Sequence, residues 1–103
     1  MFGLSPSTIQ ALCEVFQRYP QVERVVLYGS RARGNYRPGS DIDLVMEGRE
    51  LNLTELQRIE CELDDLLLPY KIDLSVLHHI QNPELLAQIQ AVGSVFYEKP
   101  EVA

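Results

Sequence analysis

Three aspartates in this chain of 103 residues have the types and spacing that suit phosphate chemistry. Asp41 and Asp43 stand two residues apart in a segment that alternates polar and apolar residues, and Asp73 stands in a second such segment. Residues two apart on a strand share one face, so Asp41 and Asp43 would present two carboxylates side by side. Clustered carboxylates repel one another, and hard cations such as Mg²⁺ relieve that repulsion. The pattern predicts a site for two Mg²⁺ ions, which can align an in-line phosphoryl or nucleotidyl transfer.

A glycine–serine pair supplies the second half of the predicted site. Gly29 follows an apolar, β-branched run, and a glycine at a strand end lets the backbone approach a ligand closely. Residues 30–33 are expected to begin a short helical turn whose N–H groups favour a phosphate, with the Ser30 hydroxyl bonding the same oxygens. A helix cap is the alternative role for Ser30. Arg31 and Arg33 could neutralise a leaving triphosphate or pair with acids; we expect Arg33 to be structural and Arg31 to lie closer to solvent.

Periodic apolar residues between capping residues and prolines predict the elements that must hold this site. Three helices are expected, over residues 5–19, 52–68 and 82–92. The second begins at Asn52 or Thr54 and carries Leu66 and Leu67 on its buried stripe. Alternating or β-branched runs predict four strands, over residues 22–28, 41–46, 70–77 and 95–97. Turn-forming residues make 34–40 a loop. The alternation favours a single α/β (α+β) domain over residues 1–103.

The positions of the acidic residues predict how the strands pair. The first strand ends at Gly29 and the second begins at Asp41, so a shared site requires these two strands to be antiparallel. Asp73 lies near the start of the third strand, which follows a helix. A parallel, right-handed crossover would therefore bring it beside Asp41 and Asp43. We expect a small mixed sheet with helices packed on one face.

The two halves of the site together resemble a known signature. Residues 29–34 (GSRARG) and 40–44 (SDIDL) are similar to the motif of the DNA polymerase β-like nucleotidyltransferase superfamily. The short chain resembles the minimal nucleotidyltransferase (MNT) branch, whose closing segment is similar to residues 91–98. The resemblance covers nearly the whole chain. Its specificity lies in residues 29–43, because the glycine–serine motif alone is weak without the paired aspartates.

The resemblance implies a polymerase β-like fold and transfer of a nucleoside monophosphate from ATP to a hydroxyl, with two metal ions. It implies that Asp41 and Asp43 bind both ions, and that Asp73 binds one and helps to deprotonate the acceptor. MNT proteins act as antitoxins of helical HEPN-type toxins. The resemblance therefore implies a HEPN partner that receives AMP, on a tyrosine, within a toxin–antitoxin pair. A homo- or hetero-oligomer is compatible with this interpretation.

Two other functions stay open at the level of sequence. The protein could neutralise its partner by binding alone, with the nucleotide site silent. It could instead modify a small molecule such as an aminoglycoside, although we expect no separate acceptor-binding domain beyond the catalytic core. An acceptor must then dock on an open surface or arrive with a partner.

Composition excludes several other classes. With 46% hydrophobic and 23% charged residues, the chain resembles ordinary globular domains, and its net charge of −6 disfavours direct nucleic-acid binding. Its apolar stretches are too short to span a membrane, and we find no secretory signal. Two cysteines without zinc spacing predict free thiols and a cytoplasmic location.

Three further features have both a functional and a structural interpretation. Tyr36 could stack on a nucleobase or pack against its own loop. The adjacent His78 and His79 could bind a metal, but they diverge on an extended strand and lack an evident third ligand. The acidic run over residues 60–65 could contact a basic partner or form a solvated helix face.

Overall fold

A four-stranded mixed sheet organises the computed structural model, which describes residues 1–100. The strands lie in the order β3-β2-β1-β4, with bounds β1 (Arg24–Tyr28), β2 (Ile42–Glu47), β3 (Ile72–Val76) and β4 (Ser94–Glu98). Strand β1 is antiparallel to both β2 and β4, whereas β2 and β3 are parallel. The predicted antiparallel first pair and parallel crossover are both confirmed.

Within residues 1–100, one α-helix precedes the first strand and three lie between successive strands, with bounds α1 (Pro6–Gln17), α2 (Gly29–Arg33), α3 (Leu53–Asp64) and α4 (Pro83–Val92). The predicted caps form as expected, because short polar side chains accept hydrogen bonds from the first turn. Ser5 accepts from the amide of Thr8, and Asn52 accepts from that of Glu55. The Asn52 side chain thus sets the start of α3, one of the two starts that the sequence allowed. Asn82 caps α4 in the same way.

Apolar side chains cover both faces of the sheet. On one face, α1 and α3 pack against β2 through residues that are fully buried, namely Ile42, Leu44 and Met46. The other face carries a smaller cluster in which Ile89 of α4 contacts Val26 and Val45. The expectation of helices on one face therefore holds for α1 and α3, and α4 is the exception. Its position follows from the apolar alternate residues of β1 and β2, which also need cover from water.

The end of α3 differs from the predicted stripe. The helix stops at Asp64, and the chain then turns, so Leu66 still packs against the core while Leu67 is 89% exposed. Leu67 also has a positive φ of 54°, which is outside helical geometry. The prediction that Leu67 is buried is wrong, because helical periodicity does not apply beyond Asp64, where the helix ends.

Two sequence expectations about thiols and membranes can be compared with the described residues. Cys13 and Cys61 are both free, the first half-buried on α1 and the second exposed on α3. Among residues 1–100, no helix combines the length and the apolar character needed to cross a bilayer.

Candidate active site

The three aspartates meet at one end of the sheet. Asp43 of β2 is directly opposite Tyr28 of β1 and directly opposite Asp73 of β3, so these residues form one row across three adjacent strands. Directly paired residues project from the same face of a sheet. Asp41, two residues before Asp43, lines the same open cleft of about 530 Å³. The cleft is lined by Tyr28, Gly29, Ser30, Arg33, Ser40, Asp41, Asp43, Asp73, Leu85 and Gln88.

The negative charge of the cleft aspartates is not neutralised by an ion pair within residues 1–100. Asp41 and Asp73 are exposed, and Asp43 is half-buried between them. Burial raises the pKa of Asp43, and the charges of Asp73 and then Asp41 raise it further. Within residues 1–100 the ion pairs join Arg18 to Glu62 and Arg24 to Glu47, and neither pair includes a cleft aspartate. The ionised site therefore carries an electrostatic cost that a bound cation would relieve.

Gly29 makes room for the central carboxylate. Its φ is +74°, a conformation that favours glycine. A Cβ atom built on Gly29 would overlap the Oδ2 atom of Asp43 and stand 3.1 Å from its Cγ. The sequence predicted that this glycine lets a ligand approach the backbone. The structure shows in addition that the Asp43 carboxylate itself occupies the space that a side chain would fill.

Ser30 lies in the first turn of α2 and lines the cleft beside the aspartates. The alternative role of Ser30 as helix cap is not observed, because the cap residue is Tyr28, whose side chain makes no capping bond. At the other end of α2, the amide of Gly34 donates to the carbonyl of Ser30 at 3.0 Å. The five-residue helix therefore presents its first turn, with the Ser30 side chain, to the cleft.

The two arginines of α2 have the opposite placement from the one that we expected. Arg31 is only 3% exposed and donates hydrogen bonds to the carbonyls of Ser40 and Phe2, so its guanidinium is turned into the protein. Arg33 is exposed and lines the cleft. Successive helical residues are rotated by about 100°, so residues two apart point to nearly opposite sides of the helix. Arg33 is thus the arginine of α2 that lines the cleft together with the aspartates.

Several cleft residues were not found by sequence reasoning. Tyr28 is 6% exposed, and burial, Asp73 and Asp43 all raise the pKa of its phenol, so the hydroxyl stays protonated at neutral pH. The predicted antiparallel pairing contained the signal for Tyr28, because the last residue of β1 pairs with Asp43 at the start of β2. Leu85 and Gln88 come from α4, and their approach depends on tertiary packing that no local motif encodes.

Two other candidates take structural roles. The Tyr36 ring lies 5.4 Å from the guanidinium carbon of Arg31 and against Gly3, which supports the loop-packing interpretation. The two histidines do not diverge on an extended strand as predicted, because they lie in a 3₁₀ turn over Leu77–His79 and the His78 ring stacks on that of His79. The Nε2 atom of His78 lies 3.0 Å from the carbonyl of Leu51. Neither histidine lines the cleft.

The donor chemistry of the cleft fits a hard divalent cation. Carboxylate oxygens are the side-chain ligands that Mg²⁺ prefers, and burial together with the charges of Asp73 and Asp41 raises the pKa of Asp43. Within residues 1–100, no three His, Cys, Asp or Glu side chains form a group that could hold an ion unaided. Mg²⁺ commonly uses one or two carboxylates and completes its shell with water and substrate phosphates. Asp41, Asp43 and Asp73 fit that mode of binding rather than a closed protein cage.

Comparison with known proteins agrees with this fold. The family model for polymerase beta nucleotidyltransferases matches residues 10–102, nearly the whole chain. The protein therefore belongs to the polymerase β nucleotidyltransferase family. No curated protein matches the chain.

Solved toxin–antitoxin structures share the fold. One, a toxin–antitoxin with AMP-PNP, has a TM-score of 0.69 and 22% identity over 93% of this chain and 75% of its own. An MntA–HepT toxin–antitoxin structure has a TM-score of 0.67 and 16% identity over 92% of this chain and 74% of its own. A third structure contains a tri-AMPylated HEPN toxin of Shewanella oneidensis with its MNT antitoxin. Its TM-score is 0.65, at 17% identity over 90% of this chain and 71% of its own.

Proposed function

We propose that this protein is a Mg²⁺-dependent nucleotidyltransferase that transfers AMP from ATP to a hydroxyl group of a partner protein. The observation that carries the proposal is the row of Asp43 and Asp73 across parallel strands, with Asp41 and Ser30 lining the same cleft. Clustered acidic oxygens facing a polar helical turn suit a substrate that brings both cations and phosphates. Membership of the nucleotidyltransferase family supports the reaction class.

Five residues of the cleft have a proposed role in this reaction. Asp41, Asp43 and Asp73 would hold the metal ions, which when bound would polarise the phosphates and offset the charge that develops on the attacking and leaving oxygens. Ser30 donates a hydrogen bond to a phosphate oxygen, and Arg33, the exposed cation of the cleft wall, neutralises the triphosphate.

The bond changes of the proposed step are those of a displacement at phosphorus. The acceptor oxygen forms a bond to the α-phosphorus, and the bond from that phosphorus to the bridging oxygen of pyrophosphate breaks. Asp73 is the exposed end of the row, so its carboxylate can receive the proton of the acceptor hydroxyl. Pyrophosphate leaves, and the acceptor carries AMP.

The proposed acceptor is a tyrosine on a HEPN-type toxin, which this protein would silence as an antitoxin in the cytoplasm. Two observations support this proposal. The cleft is open, so a protein side chain can enter it. Solved structures with this fold include a complex in which an MNT antitoxin accompanies an AMPylated HEPN toxin.

The test is an AMP-transfer assay with the HEPN-type protein that co-purifies with this chain. The complex is incubated with Mg²⁺ and α-³²P-labelled ATP, and intact-mass spectrometry counts the AMP groups added to the partner. We expect AMP on the partner with the unmodified protein and none with the Asp41→Asn, Asp43→Asn double variant.

Glu14→Gln, on the exposed face of α1, is the matched charge-removing control and should transfer AMP normally. Absence of added AMP with the unmodified protein, together with full neutralisation of the partner by a stoichiometric complex, would instead establish a binding antitoxin. A nucleotidylated aminoglycoside in a parallel assay would redirect the proposal to a small-molecule acceptor.

A further inference from the structure

Arg31 is a buried cation that the proposed reaction does not use. Its side chain is 3% exposed, and within residues 1–100 it belongs to no ion pair. A buried charge is costly unless hydrogen bonds compensate it. All three nitrogens of its guanidinium donate to main-chain carbonyls: Nε and Nη2 to Ser40 at 3.1 and 2.8 Å, and Nη1 to Phe2 at 2.9 Å. The charge is therefore committed to two backbone groups.

One of those carbonyls belongs to the residue immediately before Asp41. Two nitrogens of Arg31 converge on the Ser40 carbonyl, and this fork fixes its direction as well as its position. A tight turn also holds Ser40 in place. The Arg37 amide donates to Ser40 Oγ at 2.8 Å, and the Arg37 carbonyl accepts from the Ser40 amide at 2.9 Å. Downstream, the Ile42 amide is held by the Lys71 carbonyl at 2.9 Å. Asp41 thus stands between two restrained backbone points.

The guanidinium is itself held from several sides. Tyr70 and Tyr36 place their rings 4.9 and 5.4 Å from its central carbon, within the range of a cation–π contact. Gly3 has a φ of +72°, and a Cβ built on it would overlap the Tyr36 ring. The first residues of the chain, the loop over residues 34–40 and the entry to β3 therefore converge on one side chain.

We propose that Arg31 is a positioning residue: it locks the loop over residues 34–40 onto α2 and thereby sets the direction in which Asp41 enters the cleft. Ser30 and Arg31 are neighbours in α2, so the helix that offers a hydrogen bond to a phosphate also anchors the loop that delivers a carboxylate. The inference rests on the proposed nucleotidyl transfer. It goes beyond it by assigning Arg31 an indirect role without contact to substrate.

The test compares Arg31→Met and Arg31→Lys with Arg37→Met, an exposed arginine of the same loop. Backbone hydrogen exchange is measured on the protein alone, and kcat and KM for ATP are measured in the transfer assay at a temperature where circular dichroism shows each variant folded. For Arg31→Met we expect faster exchange at residues 37–42 and a fall in kcat of about 10- to 100-fold, with KM for ATP within about threefold, since a small misplacement of a reacting group has costs of this size.

Arg31→Lys keeps the charge but loses the fork, so its kcat should lie between those of Arg31→Met and the unmodified protein. Arg37→Met should match the unmodified protein in both measurements. Should Arg31→Met fail to fold, Arg31→Lys and Gly3→Ala, which displaces Tyr36, carry the test: for both we expect faster exchange at residues 37–42 and a lower kcat than in the unmodified protein.

Three results would overturn the proposal. Exchange at residues 37–42 that is unchanged would show that Arg31 does not lock the loop. Faster exchange with kcat within twofold of the unmodified protein would show that its role is structural only. A rise in KM for ATP with an unchanged kcat would indicate direct contact with the nucleotide. An unmodified protein that transfers no AMP would remove the proposed function, while hydrogen exchange would still decide whether Arg31 holds the loop.

Discussion

Two acidic regions of this molecule have opposite electrostatics. Where α1 meets α3, Glu62 accepts hydrogen bonds from Tyr19 and from Arg18, the latter at 2.6 Å, and these bonds lower the pKa of Glu62. In the cleft, burial and two neighbouring carboxylates raise the pKa of Asp43. Glu62 is provided with donors by the fold, whereas Asp43 is provided with further negative charge. The fold therefore satisfies the first carboxylate and leaves the second to be satisfied by something that binds.

The two carboxylates should respond to pH in opposite directions. A lowered pKa in the folded state stabilises the protein above the ordinary value of 4.5, and this contribution disappears as the pH falls through the folded pKa of Glu62. A raised pKa has the reverse effect. The ionised Asp43 destabilises the fold once the pH rises above 3.8 and through its own folded pKa.

The largest expected effect comes from Asp43→Asn. Loss of a direct metal ligand should reduce AMP transfer by more than about 100-fold, since changes to groups that only support ligands already cost 10- to 100-fold. The thermal midpoint at neutral pH should nevertheless rise, because the variant removes a repelled charge. Differential scanning calorimetry at neutral pH and near pH 3.5 measures this gain, which should shrink in acid. A lower midpoint at neutral pH would break the contrast between the two regions.

A second prediction separates backbone strain from displacement of the Asp43 carboxylate. Gly29→Ala and Gly34→Ala both place alanine at a positive φ, +74° and +87°, so each should lose about 1–2 kcal/mol of folding stability. A Cβ at Gly29 overlaps Asp43, whereas nothing lies within 4 Å of a Cβ at Gly34. Transfer by Gly29→Ala should therefore fall about 10- to 100-fold. Gly34→Ala should retain transfer, and equal losses in both variants would make strain the sole cause.

A third prediction concerns the exposed arginine of the cleft wall. Arg18 is committed to Glu62, whereas Arg33 belongs to no ion pair within the described residues. Arg33→Met should raise KM for ATP about 10-fold, the scale of one lost charge-assisted hydrogen bond, with a smaller change in kcat. Steady-state kinetics over a range of ATP concentrations measures both constants. An unaffected KM would place the triphosphate away from this side chain.

The smallest expected effect is that of Glu62→Gln. It should lower folding stability at pH 7 by no more than about 1 kcal/mol, because the ion pair with Arg18 is largely exposed. Urea denaturation should show this difference at neutral pH and lose it as the pH falls below 4.5 and through the lowered folded pKa of Glu62. AMP transfer should be unchanged. A loss of transfer would mean that the α1–α3 junction and the cleft are coupled.

Local chemistry predicted much of this structure. Ser5, Asn52 and Asn82 cap helices because their side chains satisfy amides of the first turn, and that signal is contained in a few neighbouring residues. The pairing of the strands followed from the need to gather the aspartates. The orientation of the α2 arginines did not, because a five-residue helix has too few residues to reveal which side faces the core.

The remaining features of the cleft depend on tertiary packing and could not be predicted from local sequence. Gln88 reaches the cleft only because α4 covers the second face of the sheet, and no motif near Gln88 encodes that placement. The Asp43 and Gly29 contact joins residues far apart in sequence, and its dependence on the absence of a Cβ is visible only in three dimensions.

Because side chains alternate between the two faces of β2, burial of its hydrophobic residues also fixes the position of its aspartates. Ile42 and Leu44, which flank Asp43, are fully buried on the opposite face. A register shift of one residue would place Asp43 in the hydrophobic core and would remove Ile42 and Leu44 from it. Selection for a well-filled interior therefore also keeps the carboxylate aligned with Asp73, so substitutions at Ile42 or Leu44 would be felt in the cleft although neither side chain reaches it.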